Sequence, residues 1–273
     1  MYNPGANLVP FTLSQLFSIP IFWRVRMRMI ASALISIAYL TILAVAHAAS
    51  GQVSVLPQQN LDALRPLLFA DTSLPELAKF DSSSEPWLTF RKAFEAVKAN
   101  NSKAARSELK RIITNPETRV QLLAWNALRG LGAQPEAKSA FVVRGVVAEL
   151  HNEGGVGVVA AYEDGSARFF GGKSGGVLWD AQGTDVEIQR RIHDLLVAAE
   201  PIVRATQPSR AHNERPVAMN YARITVLTFG GPHLAEGYGP ALDEQNQIMA
   251  PLRAATKLMR ALTDKRSRTK TNE

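Results

Sequence analysis

No cysteine occurs among the 273 residues. That excludes disulfides, thiolate metal sites and a cysteine nucleophile. It also excludes a lipid anchor that needs a cysteine at its cleavage point. A phosphate loop is missing too. Gly172-Lys173-Ser174 ends like one, but Ala167 stands where the first glycine must be. Such a loop must also feed a helix whose N-terminus faces the phosphate, and here a strand is expected next. The stretch reads as a glycine-rich turn between strands. Neither His-Glu-x-x-His nor Gly-x-Ser-x-Gly is present. No cofactor and no metal are therefore expected.

Concentrated positive charge is also lacking in the body of the chain. The net charge is +7. Arg24, Arg26 and Arg28 supply +3 before residue 49, and residues 264–273 supply +2. Only +2 remains between them. A nucleic-acid binder gathers basic charge on its folded part, so no nucleic-acid partner is expected.

What is present begins with an address. The three arginines precede an uncharged apolar run, Ile30–Val45, and then Ala46-His47-Ala48. This is the order of a secretory signal: positive start, apolar middle, small-x-small cleavage site. The run is 16 residues, shorter than the ~20 that span a bilayer comfortably. Residues 1–48 are read as the signal region, with translation expected to start at Met27 or Met29. The body is expected in the periplasm or outside the cell. The alternative is an uncleaved inner-membrane anchor with the body in the periplasm, the arginines being held inside.

Residues 49–84 read as a linker with short helices. A helical module is expected over 85–133. Ser84 fits an N-cap, with Glu85 and Pro86 in the first turn. Trp87, Phe90, Phe94 and Val97 recur at helical spacing. Asn100-Asn101 and Asn115-Pro116 punctuate two further helices. Trp87, Phe90 and Phe94 could line a groove for a partner.

Residues 140–263 read as an α+β domain, and 264–273 as a disordered tail. Phe141–Leu150 and Val156–Tyr162 are β-branched and aliphatic. Asp164-Gly165 is a strong hairpin signal. Ser166–Phe170 returns antiparallel as a third strand, and Gly176–Trp179 is a fourth. Thr184 fits a helix cap, and Ile188, Ile192, Leu195, Ala199 and Ile202 stripe a long helix. Ala222–Phe229 is a strand, and Ile248 to Leu262 stripe a last helix. The order β-β-β-β-α-β-α predicts an antiparallel sheet covered by two helices and preceded by a small all-helical module.

The runs "LLAWNALRGLG", "VVRGVVAEL", "GVVAAYEDGSARFF", "VLW" and "RITVLTFGG" carry a resemblance. Together they resemble a group of uncharacterised bacterial proteins with a helical segment before an α+β domain. The resemblance implies the fold order and brings no activity, ligand or catalytic residue.

The histidines offer little chemistry. His193 belongs to the border of an amphipathic helix and His212 to a polar loop. His151 and Glu153 lie at a turn. The best catalytic candidates are His233, Glu236 and Tyr238 in "GGPHLAEGYGP", read as a loop after a strand end. No nucleophile accompanies them. The chain is thus expected to be an exported, non-catalytic accessory protein that binds a periplasmic or membrane protein. The alternatives are a periplasmic hydrolase using His233 and Glu236, and a membrane-tethered accessory subunit.

Overall fold

The computed structural model describes residues 54–56, 61–80, 83–171, 176–180, 185–209, 217–243 and 246–271. All fall within one compact unit, residues 48–273. The signal region, Thr184, His212 and the Gly172–Gly175 turn lie outside the described residues.

Among the described residues the elements run β1 (Ser54–Leu56), α1 (Leu61–Leu68), α2 (Leu74–Leu77), α3 (Trp87–Lys98), α4 (Ser102–Ile112), α5 (Thr118–Gly130) and α6 (Ala137–Ala140). Then follow β2 (Gly145–Asn152), β3 (Gly155–Tyr162), β4 (Ala167–Gly171), β5 (Gly176–Trp179), α7 (Val186–Ala205), β6 (Tyr221–Thr228), β7 (Gly231–Tyr238) and α8 (Met249–Thr271). The strands form one antiparallel sheet in the order β1-β5-β4-β3-β2-β6-β7. The α+β class with preceding helices is as expected from the sequence.

Strand periodicity decides what each face holds. Val146, Ala148, Val159, Ala161, Ala167, Val177, Trp179, Ile224 and Val226 share one core with α7 and α8. Helix α7 contributes Ile188, Ile192, Leu195, Ala199 and Ile202 from one stripe. Each isoleucine so buried is worth about 1.5–3 kcal/mol relative to exposure.

Four expectations are corrected. Gly230–Pro240, read as a loop, is mostly β7. Its small residues hid the alternation, because Gly237 occupies an inward position against Leu242 and Ile248. The tail expected to be disordered is helical up to Thr271, continuing α8. Asp185 caps α7, its carboxylate accepting from the N–H groups of Glu187 and Ile188. At α3 the N-cap position falls on Pro86 rather than Ser84, and the Glu85 carboxylate accepts from the Thr89 N–H.

The sheet's second face is met by the N-terminal helices. The Tyr162 hydroxyl donates to the Leu68 carbonyl at 2.6 Å. The Arg119 guanidinium lies 5.8 Å from the Tyr162 ring centre. Trp125 of α5 stacks on Phe229 at 5.7 Å, and Arg129 donates to the Phe229 carbonyl. Asp164 and Thr118 bond reciprocally, tying the β3–β4 hairpin to the start of α5.

Candidate functional site

A cleft of about 480 Å³ opens where residues 141–143 pass the end of α7. Its apolar wall is Phe141, Val142, Val143 and Val203, and its polar rim is Glu200, Arg204, Thr206 and Gln207. Local chemistry explains the path. Gly230 has no side chain, so the Ala140 carbonyl can reach its N–H at 2.9 Å. That contact ends α6 against the sheet and turns the chain across α7. Phe141 is left 53% exposed and Val142 39% exposed. On the rim, Glu200 and Arg204 pair at 2.6 Å across one helical turn.

Behind this cleft lies His233. Its Nδ1 is 3.0 Å from Thr206 Oγ1, and Phe141 meets its ring edge-on at 6.2 Å. The side chain is buried, and burial holds its pKa below the usual 6.5, partly offset by the bond to Thr206.

The catalytic candidates do not converge. His233 and Glu236 are three residues apart in a strand, so they point to opposite faces. His233 faces α7, opposite Val226 in register. Glu236 is on the second face, accepting from Arg223 Nε at 2.7 Å. Tyr238 packs on Tyr221, centre to centre 5.3 Å. Nor do the groove candidates form an open surface. Phe90 is wholly buried, Trp87 is covered edge-on by Phe80 at 5.0 Å, and Phe94 is half-buried under Lys98. His151 is bonded through Nδ1 to the Val217 carbonyl, and His193 is exposed. Among the described residues no group of three or more His, Asp or Glu could hold a metal ion.

Comparison with known proteins finds no matching family model, curated protein or solved structure. The site therefore has to be read from its own chemistry.

Sequence reasoning missed a chain of charges on the second face, buried except at its outer end, Glu236. Glu149 is fully buried and paired with Arg65 of α1. Its second oxygen lies 3.6 Å from Arg223, which reaches on to Glu236. The four charges alternate in sign and sum to zero, which is what burial of charge demands. The signal was available: a glutamate within "GVVAEL" and an arginine within "ARITVLTF" break otherwise apolar strands. Arg168 is a second case. It donates to the carbonyls of Ala167 and Trp179 and to Asp180. Burial first, and Arg119 nearby second, lower its pKa to about 10. Tyr162 is pushed up to about 12 by burial. Apart from Glu236 these groups are enclosed, and their pairing suits them to anchoring the helices.

Proposed function

We propose that the chain is an exported, non-catalytic accessory protein that binds a protein or peptide through the cleft at Phe141. The carrying observation is the exposure of Phe141 and Val142 beside the recess lined by Val143 and Val203. An aromatic anchor next to an apolar pocket, with a polar rim, is the anatomy of a binding hot spot. The Glu200–Arg204 pair supplies such a rim. The apolar run Ile30–Val45 and the Ala46-His47-Ala48 site support export of the body. A partner in the periplasm or on the membrane follows from that address. Should the apolar run stay uncleaved, the same cleft would serve a membrane-tethered subunit. The hydrolase alternative loses support because His233 and Glu236 face opposite sides of the sheet.

Site-specific photo-crosslinking in the producing cell tests this reading. A photoreactive residue at position 142 is expected to trap one protein as a discrete adduct, lost on Phe141→Asp. The control position is 186, at the far end of α7, where Val186 is 79% exposed. No adduct at 142, or the same adduct at 186, overturns the proposal.

A further inference from the structure

The C-terminal helix gathers charge that the sequence spreads over a helix and a tail. α8 holds seven basic residues and one acid, Asp264. Residues 49–248 hold 21 basic residues against 22 acidic ones, so the rest of the body is nearly neutral. The helix is held in one orientation. Ala255, Leu258 and Leu262 lie in the core, with Leu252 and Met259 packed against it. Arg253, Lys257 and Arg260 then face outward, at i, i+4 and i+7, as one exposed strip. Lys265 and Arg266 follow, half-exposed, and Arg268 and Lys270 belong to the last turns.

Acids lie beside part of this strip. A cleft of about 400 Å³ joins it to the start of α7 and includes Asp185, Glu187 and Asp264. Asp185 is engaged by Lys265 at 3.1 Å, and Glu187 by Arg190 and Arg191. Among the described residues no ion pair involves Lys257 or Arg260.

We propose that this strip lays α8 on an anionic phospholipid surface as a peripheral electrostatic contact. A 23-residue helix is about 35 Å long, and a flat surface meets all of its outward cations at once. Each Lys or Arg near such a surface strengthens binding about fivefold. The apolar side of α8 is occupied by the core, so the contact is one of charge without insertion. This contact stands independently of the cleft at Phe141.

The test is co-sedimentation of the full chain with phosphatidylcholine vesicles, with and without about 30% phosphatidylglycerol. The gain due to the anionic lipid is the readout, so affinity common to both vesicles cancels. The gain should vanish in about 1 M salt, where the screening length is about 3 Å. Arg253→Gln/Lys257→Gln/Arg260→Gln should weaken anionic binding about a hundredfold. Lys103→Gln/Lys110→Gln on α4, both exposed and far along the chain from α8, should leave it unchanged. Equal binding to both vesicles overturns the proposal. So does full anionic binding by the folded triple variant, its fold checked by circular dichroism. Displacement of the vesicles by equimolar duplex DNA would assign the strip to nucleic acid instead and overturn it as well.

Discussion

Thr206 Oγ1 lies 3.0 Å from His233 Nδ1 and donates its proton to the Ile202 carbonyl at 2.7 Å. One hydroxyl has one proton, so toward the histidine Thr206 can only accept. His233 therefore carries its hydrogen on Nδ1, and Nε2 keeps its lone pair, buried and with no partner among the described residues. Nitrogen NMR should report a neutral ring protonated at Nδ1 at pH 7.

Stability should carry the mark of that ring. Its folded pKa is lowered, so the unfolded chain takes up the proton first as pH falls. The contribution is complete above about 6.5 and declines as pH drops below it toward the folded value. Urea midpoints taken from pH 8 down to 5 should fall in this window, and His233→Gln should remove that part of the slope. An unchanged slope would contradict the assignment.

The Arg65–Glu149 pair should behave as a buried pair. Arg65→Met leaves the glutamate without its α1 partner and should cost about 3–5 kcal/mol in urea unfolding. Arg65→Met/Glu149→Leu removes both charges and should recover most of the loss, Arg223 keeping Glu236. A double variant as unstable as the single one would show that the charges, not their pairing, matter.

Thr118 and Asp164 exchange two bonds, from Thr118 N–H at 2.8 Å and from Asp164 N–H at 3.0 Å. Asp164 also accepts from the Ser166 N–H and hydroxyl. Asp164→Ala should cost about 1–3 kcal/mol. Hydrogen exchange should speed up at the start of α5 and in the β3–β4 turn together, because one side chain holds both.

Gly230→Ala would place a methyl group 2.7 Å from the Ala140 carbonyl oxygen, a backbone atom with no freedom to yield. A loss of roughly 1–3 kcal/mol is expected. Because this contact sets the course of residues 141–143, crosslinking from position 142 should weaken even where the variant stays folded.

The regular elements were legible because each has its own period. The stripe of α7 and the Asp164-Gly165 turn can be seen within twenty residues of chain. β7 was not, since Gly231, Gly237 and Pro232 blur an alternation that is visible only beside β6. The catalytic candidates failed for the same reason. In a loop His233 and Glu236 could meet; in a strand the pleat parts them. The Phe141 cleft had no local signal, because nothing in "SAFVVRG" says that the chain will cross the end of a helix sixty residues later.

By itself, then, the amino-acid order determined the chemistries the chain lacks, the expected export address and the α+β succession of elements. These rest on residue type and short-range periodicity, which need no knowledge of partners. Tertiary structure alone decided which charges are buried in pairs, which aromatics stay exposed and how the basic residues of α8 are presented. Those outcomes depend on contacts between residues as distant as Arg65 and Glu149, 84 positions apart, and such contacts leave no mark in any local stretch of sequence.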